Sequence, residues 1–336
     1  MKMLKRFLPL ALSTVTLAAV TLAAAVVPAE AATRLRFGYE APRSDSQHVA
    51  SERFKELLAA KTGNELQLQL FPEGTLGNAQ ALINGTRGGT IDLELSGSSN
   101  FSGLEPLLNV LDTPFTFKDE AHAYRFLDGE GGQKLLDALE KHNLKGLAYW
   151  DNGFRMITNT KRPVRTPDDV KGLKIRTTAS AVHIEAFKLL GANPAPMPLA
   201  ELYTALETGA MDAQEHPLGV LWSVKLYEVQ KHLTLSRHAY SPLILVMNKP
   251  KFDSLPPAQQ KAMIEAAREA GAYQRQLNAQ NVAMIVEGVK KAGMQVVETI
   301  DPQPFARITA PARQFIINKF GGEDIFKQID TVRDVP

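Results

Sequence analysis

Residues 33–71 read TRLRFGYEAPRSDSQHVASERFKELLAAKTGNELQLQLF, and this stretch decides the fold class. The apolar residues Leu35, Phe37 and Tyr39 occupy every second position, which is the period of a strand. A segment with apolar residues at helical spacing follows, and residues 66–71 then return to alternation. A strand, a helix and a second strand in this order favour an α/β fold with a largely parallel sheet.

The alternation of strands and helices continues along the chain, and a longer helical segment then follows. Further strands and helices are predicted at residues 77–87, 90–95, 145–149, 156–158, 173–176, 181–190, 199–206 and 218–231. From residue 256 to residue 291 the apolar positions keep roughly helical spacing, and no proline interrupts the segment after Pro257. A helix of that length reaches about 50 Å, so we expect it to cross more than one lobe of the protein.

The N-terminus carries the pattern of a secretory signal. A basic start at residues 2–6 precedes an apolar stretch at 7–27, and residues 28–31 read PAEA, an A-x-A cleavage pattern. The alternative is an uncleaved transmembrane helix, because the apolar run is long enough for one. No basic stop-transfer flank follows the run, so we expect cleavage after Ala31 and a periplasmic location.

Charge and cysteine content restrict the possible partners. Residues 1–31 hold three of the 38 Lys and Arg residues and one of the 36 Asp and Glu residues, which leaves 35 of each. A chain without net charge has no overall electrostatic attraction to nucleic acid or anionic lipid, so neither partner is expected. The absence of cysteine excludes disulfides, thiolate metal sites and cysteine nucleophiles, and no metal or cofactor is expected.

Common enzyme signatures are missing from the sequence. His183 is followed by IEAF rather than by the remainder of HExxH, residues 129–134 (GEGGQK) lack the spacing of a P-loop, and residues 97–101 (GSSNF) do not match G-x-S-x-G. Their absence favours binding without chemistry. The alternative from another class is an exported hydrolase or lyase on a two-lobed scaffold.

Short motifs follow one another through most of the chain. They are FP at 71–72, LG at 76–77, GGTID at 88–92, NGFR at 152–155, TPDD at 166–169, KGLKIR at 171–176, PM at 196–197, DAQEHP at 212–217 and YEV at 227–229. In this order they resemble the solute receptors of TRAP transporters (tripartite ATP-independent periplasmic transporters) of the DctP type. The likeness extends from about residue 35 to about residue 327.

The resemblance implies a type II-like periplasmic binding protein, an α/β fold with two lobes, mixed sheets and a long helix that spans both lobes. Residues 32–152 with 242–281 are expected to form lobe I, and residues 153–241 with 282–336 to form lobe II. A solute would be held between the lobes, which close by hinge motion. The expected partners are a small carboxylate solute and the membrane-embedded TRAP permease subunits, and the receptor is expected to be a monomer.

Two arginines match binding positions of the family. Arg176 falls on its carboxylate-binding arginine, and a guanidinium suits that role because its planar fork matches two carboxylate oxygens. The alternative is an exposed arginine paired with Asp168 or Asp169. Arg155 matches a second arginine of the same pocket, and the alternative is a structural salt bridge.

Four further residues are candidates for the pocket. His216 replaces the Asn of many relatives and could also carry a charge near neutral pH. The alternative is a structural histidine before Pro217 whose hydrogen bonds are all made within the protein. Glu40 is either an acceptor for a solute hydroxyl or a solvated loop acid. His238 matches a histidine of sialic-acid receptors, although most of their other polar positions are replaced here, and Trp150 either stacks on a ring or packs in the core.

These observations predict a periplasmic receptor that binds a small organic acid through an arginine–carboxylate salt bridge and delivers it to the permease. A sugar acid such as a hexuronate, or another hydroxy acid, is favoured because Glu40 would repel a second carboxylate. The alternative solute is a C4-dicarboxylate of the malate, succinate or fumarate type, which would use both Arg176 and Arg155.

Overall fold

The computed structural model describes residues 32–335, so the predicted secretory signal lies outside the described residues. The strands are β1 Thr33–Tyr39, β2 Leu66–Phe71, β3 Leu93–Gly97, β4 Leu144–Asn159, β5 Lys174–Thr177, β6 Asn193–Pro196, β7 Ala213–Pro217, β8 His232–Asn248 and β9 Gln295–Val297. The helices are α1 Ser46–Lys61, α2 Ala79–Gly88, α3 Ser98–Phe101, α4 Glu120–Leu127, α5 Glu130–Asp137, α6 Ala181–Leu189, α7 Leu199–Glu207, α8 Leu218–Ser223, α9 Lys249–Asp253, α10 Pro257–Lys291, α11 Pro302–Thr309, α12 Pro311–Phe320 and α13 Glu323–Thr331.

The strands form a mixed sheet in the order β2-β1-β3-β8-β4-β7-β5-β6, and β9 also pairs with β8. The outer pairs β1–β2, β1–β3, β5–β6 and β5–β7 are parallel, whereas β3–β8, β8–β4 and β4–β7 are antiparallel. The long strands β4 and β8 run beside each other through the middle and carry the chain between the two α/β halves. This arrangement confirms the predicted two-lobed α/β fold with mixed pairing.

Local sequence explains how the opening helices begin and end. The Asp45 carboxylate accepts a hydrogen bond from the backbone N–H of Gln47, and Asn78 caps α2 in the same way through Ala81. Gly89 ends α2 in the left-handed conformation with φ 79°, a region that suits glycine. These caps fix where α1 and α2 begin, after the short connections that follow β1 and β2.

The helix predicted at residues 256–291 is confirmed as α10, which is continuous over its 35 residues. It packs against α1, β4 and α8, and therefore contacts elements of both halves. The side chain of Gln274 anchors it to β4, because its amide accepts from the backbone N–H of Asp151 and donates to the carbonyl of the same residue, both at 2.7 Å. Within residues 32–335 no helix has the length and apolarity needed to cross a membrane.

The predicted helix at 218–231 is wrong. Helix α8 ends at Ser223, and Lys225 adopts a left-handed φ of 56° before a short 3-10 turn leads into β8. Strand β8 was also missed, because its central residues are buried on both faces and show no alternation. The lobe boundaries predicted from the sequence stay a prediction.

Candidate solute-binding cavity

A cavity of about 240 Å³ lies where strands from both halves of the sheet end. One wall follows β1, β3 and the start of α2, and the other follows β5, β6, β7 and α8. Ligands of open α/β sheets commonly bind beyond the carboxyl ends of parallel strands. Four of the six predicted site residues, Glu40, Arg155, Arg176 and His216, line this cavity.

Arg176 lies near the end of β5 and is only 3% exposed. Its Nε donates to the carbonyl oxygen of Met197 at 2.8 Å, its Nη2 donates to the same oxygen, and its Nη1 lies 3.2 Å from Nε2 of His216. A guanidinium has five N–H hydrogens; three are used in these contacts, so one remains on each Nη atom.

No acidic side chain of the described residues forms a salt bridge with Arg176. Asp168 pairs with Lys171 at 2.8 Å, and Asp169 accepts hydrogen bonds from the backbone of Arg165 and Thr166. The alternative in which Arg176 pairs with either aspartate is therefore wrong. Burial lowers the pKa of Arg176 to about 10, opposed in part by the charge of Glu215, so the side chain remains a cation at neutral pH.

Arg155 reaches the cavity, but most of its guanidinium is engaged elsewhere. Nε and Nη2 bond to the carboxylate of Glu215, and Nη2 also donates to the Glu215 carbonyl at 2.6 Å. Arg155 is 1% exposed and Glu215 is 0% exposed. Burial acts to raise the pKa of Glu215, but the neighbouring charge of Arg155 outweighs it and holds that pKa well below the usual range. The geometry is that of a buried ion pair.

His216 contacts Arg176 through Nε2 and Gln214 through Nδ1, at 3.2 and 2.6 Å. Burial, together with the positive charges of Arg155 and Arg176, lowers the pKa of His216 well below its usual value. His216 is therefore neutral at physiological pH in this arrangement. The contact with the Nη1 donor of Arg176 agrees with a neutral ring whose Nε2 carries no proton.

Glu40 follows directly after β1 and is partly buried in the opposite wall. Burial raises the pKa of its carboxyl, and the positive charge of Arg176 opposes that shift. Five amide side chains accompany Glu40 on the cavity lining, namely Gln47, Asn78, Gln80, Asn100 and Asn152. The sequence reasoning did not identify these amides as pocket residues, although Asn78 directly follows the LG motif and Asn152 is the first residue of the NGFR motif.

Trp150 and His238 do not line the cavity. Trp150 is fully buried, donates from Nε1 to the carbonyl of Ala267 at 2.9 Å and packs in the core of the first half of the sheet. His238 lies beside Glu215, with Nε2 3.3 Å from the Glu215 carboxylate and Nδ1 2.9 Å from the Ser236 hydroxyl. The structure thus places Trp150 in the core and His238 in support of the buried ion pair.

Comparison with known proteins agrees with this fold and cavity. The profile of the family described as bacterial extracellular solute-binding protein, family 7 (DctP), matches residues 37–319. The 2,3-diketo-L-gulonate-binding periplasmic protein YiaO of Escherichia coli (strain K12) is 53% identical over 305 residues, which cover 90% of this chain and 93% of that protein.

Two solved structures illustrate the structural likeness. A TRAP periplasmic solute binding protein from Polaromonas sp. JS666 bound to D-erythronate is 36% identical, with a TM-score of 0.86 over 90% of this chain and 99% of that one. The sugar acid binding protein DctPAm from Advenella mimigardefordensis strain DPN7T, in complex with galactonate, is 34% identical with the same TM-score and the same coverage of both chains.

Proposed function

This chain belongs to the DctP family of bacterial extracellular solute-binding proteins, and from that membership we propose that it is a periplasmic TRAP receptor for a sugar acid. The solute class comprises aldonates, their keto derivatives and hexuronates. Arg176 holds the carboxylate, His216 keeps Arg176 in place, and Glu40 with the surrounding amides accepts and donates hydrogen bonds to the hydroxyl groups.

One observation carries this proposal: Arg176 is a buried cation without an acidic partner among the described residues. Isolated buried charges are costly, so proteins normally pair them. Here the two remaining N–H hydrogens of Arg176 provide a site for an external carboxylate. A solute carboxylate supplies the missing charge and can accept both bonds in the bidentate geometry that arginine favours.

The position of Arg155 favours a sugar acid over a C4-dicarboxylate. A second solute carboxylate needs a second cation, but Glu215 already neutralises Arg155 through two of its three guanidinium nitrogens. The opposite wall offers Glu40 and neutral amides, which suit hydroxyl groups and repel a second negative charge. The bound acids of the erythronate and galactonate complexes likewise carry one carboxylate and several hydroxyls.

Export and delivery complete the proposed role. Cleavage after Ala31 would release residues 32–336 into the periplasm, where the loaded receptor docks on TRAP permease subunits. Mass spectrometry of the protein purified from the periplasm should give an N-terminus at Ala32. Recovery of the uncleaved chain, which still begins at residue 1, in the membrane fraction would contradict cleavage.

The solute class is tested by thermal denaturation of residues 32–336 with D-galactonate, D-glucuronate, 2,3-diketo-L-gulonate, succinate and D-galactose. A ligand at 100 times its Kd stabilises the folded state by about 2.7 kcal/mol, which is readily measured as a rise in Tm. We expect sugar acids to raise Tm, and galactose, which has no carboxylate, to leave it unchanged.

Two controls separate the proposal from its alternatives. Arg176→Met should abolish the shift, whereas the same change at exposed Arg34 should preserve it. A shift with succinate alone would establish the dicarboxylate alternative, and a shift with galactose alone would contradict binding through a carboxylate. Conversion of the acid by the purified protein would establish the enzyme alternative.

A further inference from the structure

A line of hydrogen bonds runs from Arg176 away from the cavity into the sheet. Beyond His216 it passes through Gln214 and Thr158 to Gln230, whose amide donates to the backbone carbonyl of Val229 at 3.1 Å. We propose that Gln214 and Thr158 are positioning residues, which hold His216 in the tautomer with a bare Nε2 so that it accepts from Arg176. This inference deepens the proposed function and rests on it for its effect on binding.

The direction of every bond in the line follows from its two ends. Arginine can only donate, so Nε2 of His216 must accept, and the proton of the neutral ring then lies on Nδ1. Nδ1 donates to Oε1 of Gln214 at 2.6 Å. The amide nitrogen of Gln214 donates to Oγ1 of Thr158 at 2.8 Å.

The rest of the line has the same direction. The Thr158 hydroxyl donates to Oε1 of Gln230 at 2.8 Å, and the amide nitrogen of Gln230 donates to the carbonyl of Val229. A carbonyl can only accept, so the line begins at an obligatory donor and ends at an obligatory acceptor. Reversal of any one amide would bring two donors or two acceptors together.

Strand pairing sets the spacing of the line. Arg176 is paired with Gln214 across β5 and β7, and Gln214 is paired with Thr158 across β7 and β4. His216 lies two residues beyond Gln214 on β7 and thus on the same face of the sheet. Gln214 and Thr158 are 0% and 1% exposed, so water cannot replace a lost bond.

The line leaves Arg176 with a defined orientation. The Met197 carbonyl holds Nε and Nη2, and His216 holds Nη1, so the guanidinium is bonded on two sides. Its remaining hydrogens are thereby fixed in direction before the solute arrives, and such preorganisation increases affinity by lowering the ordering cost of binding. A proton on Nε2 would instead face Arg176 donor to donor.

Thr158→Val is the central variant, because it removes the hydroxyl from the middle of the line and keeps the side-chain shape. Thr177→Val is its matched control, since Thr177 is equally buried, follows Arg176 directly and has an Oγ1 without a hydrogen-bond partner. We expect affinity for D-galactonate to fall on the order of tenfold in Thr158→Val, and to stay within about twofold of the parent in Thr177→Val. Thr158→Ser restores the hydroxyl and should restore the affinity.

A second measurement does not depend on the solute. NMR of the imidazole nitrogens in the ligand-free protein, with His216→Asn to assign the signals, should show the His216 proton on Nδ1. A proton on Nε2, or equal losses of affinity in the two valine variants, overturns the inference. If the parent binds no sugar acid, the proposed function fails, and the tautomer still decides whether the line of bonds exists.

Discussion

Replacing Arg155 or Arg176 by methionine should have sharply different consequences, although both arginines line the same cavity. Arg155→Met leaves the fully buried carboxylate of Glu215 without its cation. Removal of one partner from a buried ion pair costs about 3–5 kcal/mol. At roughly 2 °C per kcal/mol for a chain of this size, Tm should fall on the order of 6–10 °C.

Arg176→Met has two opposing effects on the ligand-free protein. Burial lowers the pKa of Arg176 from 12.5 to about 10, which corresponds to about 3 kcal/mol against the charged form, and the substitution releases this cost. It also leaves the Met197 carbonyl and His216 without their donor, at a cost of about 1–3 kcal/mol. The net effect lies between about zero and 2 kcal/mol in favour of the variant, so Tm should stay unchanged or rise by no more than about 4 °C.

The assay combines thermal denaturation without solute and calorimetric titration with the acid that stabilises the parent. Arg155→Met should be much less stable and should retain measurable affinity at a temperature where it is folded. Arg176→Met should keep near-parent stability and lose binding. An Arg155→Met variant as stable as the parent, or an Arg176→Met variant that binds normally, would refute the assignment of one structural and one binding arginine.

Three further perturbations probe other parts of the molecule. Burial raises the pKa of Asp112 from 3.8 to about 6, so the stabilisation by its protonated form is complete below pH 3.8 and is lost as pH rises through 6. The Tm of Asp112→Asn minus that of the parent should therefore increase between pH 4 and pH 8, by the equivalent of about 3 kcal/mol. A Tm difference that does not depend on pH would contradict this effect of burial. Gly271→Ala should lower Tm, although alanine is the better helix former, because its Cβ would lie 2.7 Å from Trp150; the same change at Gly88, where nothing lies within 4 Å, should leave Tm unchanged or raise it. Glu40→Gln should weaken binding of D-galactonate on the order of tenfold in a calorimetric titration if Glu40 accepts solute hydroxyls, and unchanged affinity would remove it from that role.

Sequence patterns predicted the parts of the fold that depend on local periodicity. Strand β1 and helix α10 were predicted close to their observed bounds, because alternation and helical spacing are properties of neighbouring residues. The segment 218–231 was mispredicted as one helix because its apolar residues suit a helix, whereas the observed helix ends at Ser223 and Lys225 adopts a left-handed φ. Periodicity reports local preference and cannot report where the chain must turn to meet the rest of the sheet.

The candidate site was predictable where it coincided with motifs, and less so where it depended on pairing across the sheet. The motif placed Arg176 at the cavity, and the structure agrees with that placement. The engagement of Arg155 by Glu215, however, joins residues 60 positions apart through the register of β4 and β7. Trp150 shows the same limit, since nothing in its neighbouring residues distinguishes a ring that packs under α10 from one that stacks on a solute.

Alternation along β7 explains why Glu215 does not form a salt bridge with Arg176. Successive side chains of a strand point to opposite faces, so Glu215 points away from the face that Gln214 and His216 share. Arg176 lies beside Gln214 in the neighbouring strand and meets the neutral His216, while Glu215 is bound to Arg155. A shift of β7 by one residue would bring the carboxylate to Arg176 and neutralise it internally. The register of this single strand therefore gives the two arginines different surroundings, because Arg155 is paired with Glu215 and Arg176 is not. This difference is what the proposed carboxylate-binding role of Arg176 requires.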